Sequence, residues 1–135
     1  RYGREHIGHR VQIKNPQTIY DIMKPEIANL AYEEMWALFL DRANRVIGKL
    51  RISQGGSTST VFDIKKIIKN ALMAHAEGVA LCHNHPSGTL RPSAQDDDIT
   101  RRFKEACRTL DINFIDHLIV TTDGFYSYRD SSSII

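Results

Sequence analysis

A chain of 135 residues, 41% hydrophobic and 25% charged, is long enough for one globular domain that buries about two-thirds of its unfolded surface without disulfide staples. A formal net charge of +2 falls short of the strongly basic footprint of a dedicated nucleic-acid binder. No long apolar run or charged-then-apolar leader marks a membrane anchor or export signal. Cys82 and Cys107 lie in apolar segments without a disulfide-rich spacing, so both are expected as free thiols in a reducing, cytoplasmic setting. A start at Arg1 rather than Met is expected of a piece of a longer protein.

Residues 1–10, which include His6 and His9, form a lead-in without an assigned element. Asn15-Pro16 pairs an N-cap with proline at the first helical position, predicting a short helix through about Met23 that Pro25 interrupts. Met35 to Leu40 and Arg45 to Ile52 flank the turn-forming Asp41-Arg42-Ala43-Asn44 and read as a hairpin, broken by Gln54-Gly55-Gly56-Ser57. From the N-cap Asp63, the residues Ile64, Ile67, Ile68, Ala71 and Leu72 recur at helical spacing, with Gly78 placed to end the helix. Val79-Ala80-Leu81-Cys82 is apolar on both alternating faces, as a central strand requires. A second helix spans about Ala94 to Leu110. Asn113 to Val120 and Phe125 to Tyr128 then read as strands around Thr122-Asp123-Gly124. The polar tail at 131–135, with Ser131-Ser132-Ser133, is expected to be disordered. Alternating strands and helices make this an α/β chain.

The chemistry concentrates where the apolar strand ends, in Cys82-His83-Asn84-His85-Pro86-Ser87-Gly88. Residues two apart in an extended segment point to one side, so His83 and His85 can present their imidazoles together. A helix turning 100° per residue puts Asp96, Ile99, Phe103, Cys107 and Leu110 on one stripe, and Asp97 and Asp98 off it toward solvent. A carboxylate on a buried stripe is costly unless it is paired or binds a metal. Two histidines and one carboxylate leave open the fourth position that catalytic zinc requires. Ser93-x-x-Asp96 also has the form of a capping box.

His83-x-His85-Pro86 followed by Ser93-x-x-Asp96 resembles the JAMM (MPN-plus) metalloprotease signature, and His-Asn-His-Pro-Ser-Gly resembles its RadC-like branch. The likeness extends to Glu33-Glu34-Met35-Trp36-Ala37-Leu38-Phe39-Leu40-Asp41, Asn44-Arg45-Val46-Ile47, Gly56-Ser57, Ala71-Leu72 and Asp116-His117-Leu118-Ile119-Val120. It thus covers residues 11–130. It implies a cytidine-deaminase-like (JAB/MPN) α/β fold, a mixed central sheet flanked by helices in a single domain. One Zn2+ per chain would be held by His83, His85 and Asp96, with water as fourth ligand. The implied activity is that of a zinc metalloprotease or isopeptidase acting on a protein or peptide substrate. The family's general base matches Glu34, whereas strand periodicity alone does not separate it from Glu33. Ser93 matches the serine that stabilises the oxyanion, a donor worth about 3 kcal/mol in the barrier. The roles of cap and oxyanion donor would then compete for one hydroxyl.

Other residues carry less. Asp116 and His117 are adjacent in a strand and face opposite ways, so at most one, with His117 the candidate, lines the site. Asn84, a second candidate for lining the site, alternates away from the histidines and is expected to secure the loop by hydrogen bonds rather than to bind metal. His75 reads as a cap or half-buried residue near a helix end, and Arg101, Arg102, Lys104 and Arg108 as a solvated face. The competing functional classes are a DNA repair-associated RadC-type protein and a non-catalytic MPN-type scaffold. RadC-like proteins commonly carry an N-terminal helix-hairpin-helix region, which these 135 residues do not contain. The literal letters His-Asn-His do not make an HNH nuclease, and the His-x-Glu with Pro-Cys-x-x-Cys pattern of zinc nucleobase deaminases is missing.

Overall fold

The computed structural model describes residues 10–54 and 63–135. His6, His9 and the Gly56-Ser57 segment lie outside the described residues. The first helix, α1 (Pro16–Ile27), opens as its sequence dictates, with the Asn15 side chain accepting the Thr18 amide at 3.1 Å and proline in the first turn. It runs past Met23, because Pro25 sits inside it rather than breaking it. Burial of Met23 and Ile27, both at 0% exposure, contributes about 1.5–3 kcal/mol each, against a cost of about 3 kcal/mol for an interior proline.

Strands β1 (Glu34–Leu40) and β2 (Val46–Gln54) form the expected hairpin. The Asp41 carboxylate accepts the amides of Ala43 and Arg45, both at 2.9 Å, and Asn44 takes the left-handed conformation the turn needs (φ 62°). Helix α2 (Ile64–Met73) starts at Asp63, whose side chain accepts the Lys66 amide. Gly78 does not end it. The chain turns at His75, exposed and left-handed (φ 56°), and Gly78 is instead the first residue of β3 (Gly78–Asn84). A Cβ at Gly78 would come within 3.2 Å of the Asn113 carbonyl, so this glycine permits close approach of the next strand. Leu72 is 54% exposed: it lies one residue, and so 100°, beyond Ala71, which closes the buried stripe.

Helix α3 (Ala94–Thr109) is the crossover to β4 (Asn113–Val120), which pairs parallel with β3. Asp96, Ile99, Phe103 and Cys107 are buried along α3 as helical phase predicts, while Leu110, where the helix stops, is 46% exposed. β5 (Phe125–Ser127) ends one residue earlier than expected. Ser127 caps the short α4 (Tyr128–Ser131), and Tyr128 is fully buried. The tail is not loose: the Ser132 hydroxyl donates to the Tyr128 carbonyl, Lys104 reaches the Ile134 carbonyl at 2.8 Å, and Ile135 packs on the core.

Among the described residues the five strands form one mixed sheet in the order β2-β1-β3-β4-β5. Alternation along the strands builds two cores. Met35, Ala37, Phe39, Val79 and Leu81 face α2 and α3, whereas Leu38, Leu40, Ala80, Cys82, Leu118 and Val120 face α1. Every residue of β3 is buried, as expected of a strand covered on both faces. The free thiols fall in different cores, Cys82 on the α1 side of the sheet and Cys107 on α3 itself, on the other side. Burial raises both, Cys107 to about 12, so neither is a ready nucleophile. No described helix is long and apolar enough to cross a membrane.

Candidate metal centre

The alternation that builds the α3-side core delivers His83 to the same side as Val79 and Leu81, directly over the start of α3. Just past the end of the strand, the turn His85-Pro86-Ser87-Gly88 closes through the Gly88 amide and the His85 carbonyl at 2.9 Å. The turn aims His85 back at His83. On the opposing side, Asp96 sits in the first turn of α3 with its carboxylate toward both rings. His83, His85 and Asp96 are each buried, at 2%, 8% and 7% exposure.

The three side chains converge. His83 Nε2 and His85 Nε2 are 3.0 Å apart, His83 Nε2 lies 3.2 Å from Asp96 Oδ1, and His85 Nε2 lies 3.1 Å from Asp96 Oδ2. Tetrahedral zinc with bonds of about 2.0–2.1 Å needs ligand atoms about 3.3 Å apart, and each of these three contacts is within a few tenths of an ångström of that spacing, the two imidazoles meeting different oxygens of the Asp96 carboxylate. The donor types fit as well. His85 Nδ1 faces the Thr89 carbonyl at 2.9 Å, and a carbonyl only accepts, so the proton is on Nδ1 and the neutral ring offers its lone pair at Nε2. Buried lone pairs directed at one point without a proton or cation between them would be strongly unfavourable. The group His83, His85, Asp96 can hold a metal ion.

The electrostatics agree. Burial alone would lower His85, but the Asp96 hydrogen bond, the Thr89 carbonyl and the charges of Asp96 and Glu33 outweigh it and raise its pKa. Burial alone would raise Asp96, yet its contacts with His83 and His85, the His83 charge and the Ser93 amide bring it well below the usual carboxylate range. Without metal, the raised His85 contributes stability that is full below the free imidazole value of about 6.5 and is lost as pH rises through the folded value. With metal the order reverses, because zinc must displace that proton. Apparent zinc affinity is expected to fall as pH drops from about 7.5 to 5.5, by about tenfold per unit for each proton displaced. A competition titration across that range checks it, and a pH-independent affinity would contradict it.

Ser93 and Asp96 form a reciprocal capping box. The Ser93 hydroxyl accepts the Asp96 amide at 3.0 Å, and Asp96 Oδ2 accepts the Ser93 amide at 2.8 Å. The cap occupies a lone pair of the Ser93 hydroxyl and leaves its proton free, so capping and donation toward a ligand do not compete. A cavity of about 340 Å³ opens over the three ligand atoms and is also lined by Glu33, Glu34, Met35, Pro86, Ser87, Thr89, Arg91, Ser93 and Gln95.

The two glutamates differ. Glu33 is exposed, whereas Glu34 is 4% exposed. The Glu34 amide donates to Asn84 Oδ1 at 2.7 Å, its Oε1 accepts the Trp36 indole N–H at 2.9 Å, and Arg51 stands 3.6 Å from Oε2. Asn84 also donates to the Tyr32 carbonyl at 2.9 Å, so it ties the start of β1 to the end of β3 rather than lining the cavity. His117 is also absent from the wall. It lies behind His83, its Nε2 2.9 Å from His83 Nδ1, stacked on Tyr128 with ring centroids 5.0 Å apart. Burial, with the charges of His83 and His85, holds it well below the usual histidine range. Asp116 turns the other way, accepting from the amides of His117 and Arg129 and from the Ser127 hydroxyl. Burial raises it above the usual carboxylate range despite those bonds.

Contacts that sequence reasoning missed include Thr100, whose hydroxyl lies 2.6 Å from His117 Nδ1, and the Tyr128 hydroxyl, which donates to Asp97 at 2.7 Å. Thr100 could have been found, since it follows Asp96 by four residues on the same helix face. Asp97 is half-buried by Tyr128 rather than solvated, a contact between distant segments that helical phase does not report. Gly88 holds φ at +87°, where a Cβ would meet no atom within 4 Å. Gly88→Ala is therefore expected to cost about 1–2 kcal/mol through backbone strain alone, read as a lower denaturation midpoint. An unchanged midpoint would contradict that account.

Residues 13–133 match the RadC-like JAB domain family. The chain is 43% identical over 119 residues to a UPF0758 protein of Flavobacterium johnsoniae, covering 88% of this chain and 52% of that protein. It is 36% identical over 121 residues to a UPF0758 protein of Symbiobacterium thermophilum, with 90% and 52% covered. A Porphyromonas gingivalis UPF0758 protein is 35% identical over 127 residues, with 93% and 56% covered. The chain thus spans about half the length of these curated relatives. With the mixed five-stranded sheet, the flanking helices and the buried His-His-Asp group beneath an open cavity, these matches place the chain in the RadC-like JAB domain family.

Proposed function

We propose that the protein is a zinc-dependent hydrolase that cleaves an amide bond in a peptide or protein substrate. The observation that carries this reading is the convergence of His83 Nε2 and His85 Nε2, 3.0 Å apart, on the Asp96 carboxylate, whose Oδ1 is 3.2 Å from the first and whose Oδ2 is 3.1 Å from the second, at the floor of a cavity whose wall includes Glu34 and Ser93. Zinc in such a three-ligand site supplies Lewis acidity and acidifies a water toward a pKa of about 7.

The chain's own residues supply the rest. Glu34 is the proton acceptor: its carboxylate is fixed by the Trp36 indole and by Arg51, which still leaves it lone pairs to receive a proton. Ser93, its acceptor side engaged by the cap, donates its free hydroxyl proton to the oxygen on which negative charge develops. Arg91 and the hydroxyls of Ser87 and Thr89 line the outer cavity and offer donors to a peptide backbone.

Chelation tests the reading. Purified protein is expected to contain about one zinc per chain and to cleave members of a diverse peptide pool, with cleavage lost after dialysis against a strong chelator and restored by stoichiometric zinc. Cleavage that persists without metal, or protein that takes up no zinc, would overturn it.

A further inference from the structure

We propose that Thr100 and His117 are positioning residues that set the ring tautomer of His83, so that its Nε2 lone pair faces the metal position. The proposal rests on the metal reading above and concerns side chains outside the cavity wall. His83 Nδ1 lies 2.9 Å from His117 Nε2, His117 Nδ1 lies 2.6 Å from Thr100 Oγ1, and the Thr100 hydroxyl donates to the Asp96 backbone carbonyl at 2.7 Å. His117 and Thr100 are both 0% exposed, so no solvent competes for these positions.

The series has a direction. It ends on a carbonyl, which only accepts, so the one proton of Thr100 is committed there and its oxygen accepts from His117 Nδ1–H. Neutral His117 then presents a lone pair at Nε2, and that lone pair accepts from His83 Nδ1–H. The only unprotonated nitrogen of His83 is then Nε2, the atom 3.0 Å from His85 Nε2 and 3.2 Å from Asp96 Oδ1. His85 reaches the same tautomer by a shorter route, through the Thr89 carbonyl. Both ligands are thus oriented by a backbone carbonyl, one directly and the other through two intervening side chains. The carbonyl behind His83 belongs to Asp96, the third member of the group.

Removing the Thr100 oxygen should therefore act on the metal with all three ligand side chains in place, the bond lost at Asp96 being to its backbone carbonyl and not to its carboxylate. In Thr100→Val, which keeps the shape, His117 Nδ1–H loses its acceptor and the ring is driven to the Nε2–H tautomer. That proton opposes His83 Nδ1–H and pushes the His83 proton toward the metal position. The expected loss of zinc affinity is about 10–100-fold, the usual range for outer hydrogen-bond partners of ligating histidines, with Thr100→Ser restoring it.

The test is a zinc competition titration on the unaltered protein, Thr100→Val, Thr100→Ser and His117→Gln. Long-range 1H–15N spectra of the ring nitrogens read the tautomers directly in the same zinc-loaded samples. The expected result is Nδ1–H on both His83 and His117 in the unaltered protein, weakened binding in Thr100→Val, and near-normal binding in Thr100→Ser. In His117→Gln the amide oxygen can still accept from His83, so binding should exceed that of Thr100→Val. An Nε2–H tautomer at His117 in the unaltered protein, or Thr100→Val binding zinc as tightly as the unaltered protein, would overturn the proposal while leaving the metal site standing. No zinc in the unaltered protein would overturn the metal reading and this proposal with it.

Discussion

Asp96→Asn is expected to give a folded protein that has lost its zinc. The asparagine side chain keeps an oxygen for the Ser93 amide, so helix α3 retains most of its cap, which is worth about 0.5–2 kcal/mol. The negative charge between the two imidazoles is gone. Loss of an outer hydrogen-bond partner of a zinc ligand typically costs about 10–100-fold in affinity, so loss of a ligand should exceed about 100-fold. Competition with a chromophoric chelator measures the affinity, and melting curves in chelator confirm the fold. Stoichiometric, tightly held zinc in the asparagine variant would remove Asp96 from the site.

The second large effect is expected at Glu34. Glu34→Gln keeps an amide oxygen for the Trp36 indole and gives up only the contact with Arg51, whose side chain is half exposed. A charge pair open to solvent on one side is worth about 0–1 kcal/mol, so stability and zinc content should hardly change. Hydrolysis should nevertheless fall by about 100- to 10,000-fold, the contribution typical of a positioned acid–base group. Metal analysis together with turnover of a cleaved peptide separates the two outcomes. Full turnover would move the proton acceptor to Glu33, the other carboxylate in the cavity wall. An inactive protein without zinc would make Glu34 a structural residue.

Some of this site is legible in local pattern and some is not. Asp96 stands out from three consecutive acids because helical phase is a local property, and the structure buries it while leaving Asp98 exposed. The pairing of His83 and His85 is legible for the same reason, although the turn after β3, closed at Gly88, rather than strand alternation alone, brings their Nε2 atoms together. Glu33 and Glu34 are not distinguishable in this way. What separates them is the bond that the Glu34 amide donates to Asn84, fifty residues away, and the neighbouring side chains of Trp36 and Arg51. In the fold, the misread points are also tertiary. Pro25 stays inside a helix whose buried face includes Met23 before it and Ile27 after it, Gly78 is required by the nearness of β4 rather than by a helix end, and the serine-rich tail is held by Lys104 and by Ile135 against the core. Propensity sees the residue and its neighbours; these outcomes depend on what lies across the sheet.

The capping box gives Asp96 a second consequence. Its Oδ2 serves the Ser93 amide and His85 at once, so the first turn of α3 and the metal position share an atom. Whatever frays the helix start withdraws a ligand, and whatever occupies the site pins the helix start. An ion held at a hundred times its dissociation constant stabilises the folded state by about 2.7 kcal/mol. Much of that should appear locally, as slower hydrogen exchange at the amides of Asp96 and Asp97. With an ion bound as proposed, the first turn of helix α3 is expected to tighten or loosen with the free ion concentration around the protein.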